Sequence, residues 1–218
     1  LGTSAALTVH LVDGLLMSCD VTLDRANRSA LAMEIHRQHQ RGGGSGYDIA
    51  TVLHGGCISY QRTSARIRAL QWPAGLHGAA LFSGQAADTR QVLEAMTTIE
   101  DTLLERIGAC SEDLIEIWPS ADSGDILNAL RACQLASDAL TESCHALKSI
   151  AVSDTVRCIE EGGGVARTSG AGGGDCVLAF SSSRTVIDQI VASWSARGGH
   201  CVARLPDHLA ATWCNDAA

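Results

Sequence analysis

Aromatic side chains are scarce in this chain: Trp, Tyr and Phe together make up 4% of its 218 residues, so any core must be built from Leu, Ile, Val and Ala. Positive charge is also in deficit, with 16 Lys and Arg against 24 Asp and Glu and a net charge of −8. That balance argues against nucleic acid or an anionic membrane as partner. A phosphate site would have to use backbone N–H groups and a metal ion instead of a basic field. No apolar run approaches the roughly 20 residues needed to span a bilayer. Charged residues amount to only 18% and hydrophobic residues to 46%, which excludes a disordered chain and suffices for one large or two small domains.

No two of the nine cysteines are separated by just two residues, so the paired spacing of a structural zinc site is absent. An odd count without a secretory signal fits reduced thiols and a cytoplasmic protein. Cys144-His145 and His200-Cys201 read as ordinary helix and strand residues rather than metal pairs.

What the chain does have is glycine, gathered in three small-residue loops. Leu1-Gly2-Thr3-Ser4-Ala5-Ala6-Leu7 reads as the second half of a phosphate loop running into a helix. Gly42-Gly43-Gly44-Ser45-Gly46-Tyr47-Asp48 lies in the middle, and Ser169-Gly170-Ala171-Gly172-Gly173-Gly174-Asp175-Cys176 near the far end. Glycine lets the backbone approach phosphate oxygens, and a helix start adds unpaired N–H groups and a positive dipole end. Hydroxyls at Thr3 and Ser4 could reach a phosphate or Mg²⁺. Asp48 follows its glycines as an acid free to orient a nucleophile or take its proton, with Glu34, His36 and Gln40 on the preceding helix. His36 and Gln40, at i and i+4, share one helix face.

Helical spacing runs from Thr3 through Leu16, and a second helix is expected from Asp24 to about Arg37, with a short one from Asp48 to Leu53. Cys57–Tyr60 and Ala65–Leu70 read as strands, and Trp72-Pro73-Ala74-Gly75 as a linker between halves. His77–Phe82 is a strand, Ser83–Thr89 a loop, and a helix is expected from Arg90 to about Ala109. A long amphipathic pattern covers Asp125–Ile150, a further helix Asp154–Glu161, and a glycine-dominated stretch 162–174. Val177–Phe180, Ser183–Arg197 and Cys201–Leu205 complete a strand–helix–strand close. Alternation of this kind points to an α+β or α/β class.

On these residues the chain resembles the GHMP kinases. Leu1-Gly2-Thr3-Ser4-Ala5-Ala6 looks like the tail of their Pro-x-x-x-Gly-Leu-Gly-Ser-Ser-Ala motif, and Ser169–Cys176 like their third, C-terminal glycine motif. The spacing of His36, Gln40, Gly44-Ser45-Gly46, Tyr47, Asp48, Gly55 and Tyr60 is similar to that of phosphomevalonate kinases, as is Ser83–Thr89 to the loop after the first strand of their second domain. The similarity runs from residue 1 to about 180, with motifs in the expected order.

The resemblance implies an α+β, two-domain kinase. Residues 1–71 would be the remainder of a ribosomal-protein-S5-like N-terminal ATP-binding and catalytic domain, and residues 72–218 a ferredoxin-like C-terminal domain. Gly2, Thr3, Ser4 and Ala5 would wrap the ATP phosphates, Ser4 and Glu34 would hold Mg²⁺, and Asp48 would be the catalytic acid. His36, Gln40, Ser45, Gly46, Thr89, Arg167, Ser169, Gly170, Ala171, Gly172 and Gly173 would contact the substrate or its phosphates. The implied partners are ATP and a small phosphorylated or hydroxylated acceptor, with no nucleic acid and no membrane. The reaction would convert phosphomevalonate to diphosphomevalonate in the mevalonate route to isoprenoid precursors. The alternatives are a GHMP kinase for mevalonate, homoserine or a sugar, or a silent metabolite-binding relative. Two positions depart from the pattern: Gly42 stands where phosphomevalonate kinases commonly have Lys, and Arg167-Thr168 where Lys-Pro often precedes the third motif. The chain has no initiator Met and opens inside a motif, which reads as an N-terminal truncation. The apolar face of helix Thr3–Leu16 is therefore expected to be exposed, and the 218 residues alone to fold poorly or lack activity.

Overall fold

A computed structural model describes residues 3–39, 45–64, 66–86, 99–144, 147–170 and 173–207. They divide into two compact units, with the boundary between Leu70 and Gln71.

The first unit has three helices and a hairpin: α1 (Thr3–Ser18), α2 (Arg25–His39), α3 (Tyr47–His54), β1 (Cys57–Gln61) and β2 (Arg66–Leu70). Asp24 starts α2, its carboxylate accepting from the Asn27 N–H at 2.7 Å. Ala5, Val9 and Val12 of α1 pack with Ala32 of α2 and with Ile49 and Leu53 of α3. Leu7, Leu11 and Leu15, at i, i+4 and i+8 on another side of α1, are exposed. β1 and β2 pair antiparallel from Cys57↔Leu70 to Gln61↔Arg66.

The second unit is a four-stranded antiparallel sheet with helices. In chain order it holds β3 (His77–Phe82), α4 (Asp101–Ile117), α5 (Ser123–Ser143), α6 (Ile150–Glu161), β4 (Val165–Thr168), β5 (Cys176–Ser181), α7 (Arg184–Ala196) and β6 (His200–Leu205). The spatial order β4-β5-β3-β6 is that of a split βαββαβ, or ferredoxin-like, sheet. Alternate residues of the strands (Ala79, Leu81, Ala166, Val177, Ala179) face Val152, Cys158 and Ile159 of α6 and Ile187, Ile190 and Trp194 of α7. Aliphatic and alanine side chains thus supply most of this core, as the shortage of aromatics requires. The mixed helix and sheet architecture matches the expected α+β class.

Several expected boundaries move. The helix expected from Arg90 to about Ala109 is not continuous: Ile99 and Glu100 are non-helical, a helix begins at Asp101 and runs on to Ile117, and residues 90–98 lie outside the described residues. Gly108 costs a helix about 1 kcal/mol without ending it. The Asp125–Ile150 pattern is two helices: α5 ends before Cys144, and α6 begins at Ile150, four residues ahead of Asp154. Ser149 forces the restart by capping α6, its Oγ accepting from the Val152 N–H at 3.2 Å. Within the glycine-dominated stretch, Val165–Thr168 form a strand. The segment Trp72–Gly75 is anchored in the second unit. The Trp72 indole N–H donates to the Leu76 carbonyl at 2.7 Å, and its ring meets Trp118 edge-on at 5.6 Å.

Candidate functional site

Three of the residues singled out by sequence converge in the first unit. Ser4 lies in the first turn of α1, His36 near the end of α2 and Asp48 in the first turn of α3. His36 is buried, with 3% of its surface exposed. Its Nε2 lies 3.3 Å from the Ser4 hydroxyl and 3.7 Å from Asp48 Oδ2. With the proton on Nδ1 the imidazole accepts from Ser4; with a proton on Nε2 it donates toward either oxygen. Small residues permit the convergence: Ala5 and Ala32 are fully buried where α1 and α2 meet α3.

The Asp48 carboxylate is held at both oxygens. Oδ1 accepts from the Ile49 N–H at 2.9 Å, while Oδ2 faces His36, and 23% of the side chain remains open. Its place in the first turn of α3 favours negative charge, because unpaired N–H groups and the positive dipole end gather there. Gly46 makes this turn possible. It precedes α3 at φ 83°, and a Cβ built on it would sit 3.2 Å from the Tyr60 hydroxyl. Ser45 is exposed just ahead of it, its Oγ 3.5 Å from the Tyr47 N–H.

Glu34 does not join this group. Arg37 donates to both of its carboxylate oxygens, at 2.9 and 2.8 Å, and Gln38 adds a third bond at 2.8 Å. These hydrogen bonds from Arg37 and then Gln38 hold the Glu34 carboxyl below its ordinary pKa. Gly2, Gln40, Thr89, Ala171 and Gly172 lie outside the described residues, as does the side chain of Thr3. Ala5 contributes packing and its backbone only.

In the second unit the third glycine segment joins β4 to β5, and both of its ends are tied. The Ser169 N–H donates to the Cys176 carbonyl at 3.1 Å, Gly170 takes φ 64°, and Gly173 follows on the way to Asp175. Asp175, at φ 60°, donates its N–H to the Gln85 carbonyl at 2.7 Å and accepts from the Ser83 N–H at 2.8 Å. The Ser83–Gln85 turn thereby braces the far end of the segment.

Arg167 is partly buried, its Nη1 donating to the Ser137 hydroxyl of α5 at 2.7 Å. Burial pushes its guanidinium below the ordinary value, opposed by the Cys133 thiol and Asp138, and it stays a cation at neutral pH. A cavity of 360 Å³ opens beside Thr168, lined among others by Gln134, Asp138, Thr141, Ser149 and Ser153. Sequence reasoning missed Gln134, a polar residue on the apolar face of α5 that is only 5% exposed.

Among the described residues no three His, Cys, Asp or Glu side chains gather as a metal cluster. No helix among them is long and apolar enough to cross a membrane.

Comparison with known proteins adds the following. Residues 119–200 match the family model described as GHMP kinases C terminal. The phosphomevalonate kinase of Streptomyces sp. (strain CL190) is 27% identical over 214 residues, covering 83% of this chain and 56% of that protein. The chain thus spans little more than half of that relative's length. Among solved structures, the Lin0012 protein of Listeria innocua gives a TM-score of 0.78 at 20% identity, covering 93% of this chain and 65% of that one. Streptococcus pneumoniae phosphomevalonate kinase in complex with phosphomevalonate and AMPPNP gives 0.76 at 17% identity, covering 90% and 65%. Mevalonate and homoserine kinase structures share the fold as well.

Proposed function

We propose that this chain, whose residues 119–200 form a GHMP-kinase C-terminal domain, is an ATP-dependent small-molecule kinase with phosphomevalonate as its acceptor and diphosphomevalonate as its product. The observation that carries this reading is the meeting of Ser4, His36 and Asp48 around one buried imidazole, in a chain similar to a phosphomevalonate kinase. In the proposal, residues 1–71 supply the ATP phosphate loop and the acid, and residues 72–218 the third glycine segment.

In-line phosphoryl transfer needs positioning and charge neutralisation more than covalent help from the protein. Gly2, Thr3, Ser4 and Ala5 offer the N–H groups of a helix start to the ATP phosphates. Asp48 orients the acceptor: a phosphate monoester is already largely ionised near neutral pH, so proton removal is not obligatory. With an alcohol acceptor Asp48 would act as the base. His36 sets the carboxylate and the serine hydroxyl toward each other beside the acceptor. Ser45, Gly46, Gln40, Thr89, Arg167 and the Ser169–Gly173 segment complete the phosphate and acceptor contacts.

The Ser4 hydroxyl and the Asp48 carboxylate are hard oxygen donors that suit Mg²⁺, which takes one or two protein oxygens besides phosphates and water. Such an ion would supply neutralisation of the phosphate charge. Glu34, implied by the resemblance as a further metal ligand, is paired with Arg37 in this structure.

Gly42 in the place of the common Lys, together with the shared fold of mevalonate and homoserine kinases, favours those acceptors as the second reading. ADP release measured with phosphomevalonate, mevalonate and homoserine separates the two. Fastest turnover with phosphomevalonate is expected. Turnover with another acceptor alone would replace the substrate assignment, and nucleotide binding without turnover on any of them would overturn the kinase reading.

A further inference from the structure

The third glycine segment leaves the sheet from β4, which among the described residues is an edge strand whose outward N–H groups have no neighbouring strand. A buried edge amide needs a partner, and at Thr168, the last residue of β4, that partner is a side chain. Gln134 Oε1 of α5 accepts from the Thr168 N–H at 2.8 Å and lies 3.4 Å from the Thr168 hydroxyl. The other end of the same amide donates to Asp138 Oδ1 at 2.7 Å, fixing which way the amide faces. One residue earlier, Arg167 is tied to Ser137 of the same helix. Gln134, Ser137 and Asp138 stand at i, i+3 and i+4, so one face of α5 grips the strand where it becomes the loop.

From this geometry we infer that Gln134 is a positioning residue for the glycine segment that begins at Ser169. It fixes the plane of the Thr168 peptide, and with it the direction in which the Ser169 and Gly170 backbone leaves the sheet. The Ser169 N–H points back to Cys176, so the N–H of Thr168 turns the other way, where Gln134 Oε1 accepts it. The side chain touches no substrate in this role; it acts through the loop. The consequence for phosphoryl transfer rests on the kinase reading above, while the anchoring itself does not.

The test uses Gln134→Met, which keeps the length of the side chain and removes both hydrogen bonds, and Gln134→Glu, which keeps an acceptor for Thr168. Amide hydrogen exchange at Thr168 and kcat and KM for nucleotide and acceptor are measured on each. In Gln134→Met, exchange at Thr168 is expected to quicken roughly tenfold or more while β5 amides keep their protection. KM should rise or kcat fall roughly tenfold or more, since small misplacements of positioning groups carry large kinetic penalties. Gln134→Glu is expected to retain most of the protection at Thr168. Should Gln134→Met fail to fold, Gln134→Asn, one methylene short of Thr168, takes its place. Unchanged exchange would overturn the anchoring, and faster exchange with unaltered kcat and KM would overturn the role in positioning. An unmutated protein without turnover on any acceptor would instead sink the kinase reading, and exchange at Thr168 would still decide the anchoring.

Discussion

At the scale of single residues, His36 connects the two oxygens on which the proposed chemistry depends. Its imidazole is nearly sealed from water, and its Nε2 faces the Ser4 hydroxyl and the Asp48 carboxylate. His36→Leu, which keeps the site filled but removes the polar partner, is expected to lower kcat roughly tenfold or more through lost orientation, with KM for nucleotide changed far less. Parallel losses of kcat and thermal stability, restored by cooling, would assign His36 to packing alone. Each of these residues is legible in the sequence from its own local pattern: a hydroxyl at a helix start, a histidine on a polar helix face, an acid after glycines. That one imidazole meets both oxygens is not legible, because three helices and the small side chains Ala5 and Ala32 set it. Glu34 illustrates the opposite case. The resemblance implies a metal ligand there, and in the structure Arg37 at i+3 on the same helix offers a guanidinium fork that pairs with its carboxylate.

At the scale of elements, the sequence announces helices and strands well where periodicity is strong and capping residues are present. β3, β5 and α7 fall within a residue or two of their expected spans. Errors arise where a polar or small residue outranks the apolar count. Ser149 divides what reads as one pattern, and Ile150 at the start of α6 is exposed. The strand Val165–Thr168 is short and flanked by glycines, so it carries little period-two signal of its own; pairing with β5 creates it. The entry to α3 gives a direct energetic test. Gly46→Ala must hold a non-glycine residue at φ 83° and push its Cβ toward the Tyr60 hydroxyl. A loss of about 1–2 kcal/mol in urea unfolding is expected from the left-handed backbone. Adding Tyr60→Phe should recover only the part due to the hydroxyl contact. No loss at all would mean that the turn does not need its glycine.

At the scale of the whole molecule, the shortage of aromatics and the abundance of cysteine meet in one consequence. Eight described cysteines are free thiols, and Cys133, Cys144, Cys158 and Cys176 are buried while Cys19 is exposed. Burial pushes the thiols of Cys133 and Cys176 above their ordinary pKa, so less thiolate is present at any given pH. Mild thiol titration of the folded protein near neutral pH should therefore label Cys19 rapidly and those four only on unfolding. Rapid labelling of the buried four would contradict the packing of the second unit. The alternation of elements alone leaves α+β and α/β open, and the ferredoxin-like second unit is implied by the family resemblance. In the first unit the two hairpin strands lie within a residue of their expected spans, and Leu7, Leu11 and Leu15 of α1 are exposed, as expected for its apolar face.

The central claim is that Asp48, held by Ile49 and His36, governs phosphoryl transfer from ATP. Single-turnover transfer of a labelled γ-phosphate from ATP to phosphomevalonate, compared between the protein and its Asp48→Asn variant, tests this most directly. Labelled diphosphomevalonate is expected from the unmutated protein. The variant is expected to form it roughly 100-fold or more slowly with nucleotide affinity nearly unchanged, the penalty of a misoriented acceptor. Equal rates in the two would contradict the account.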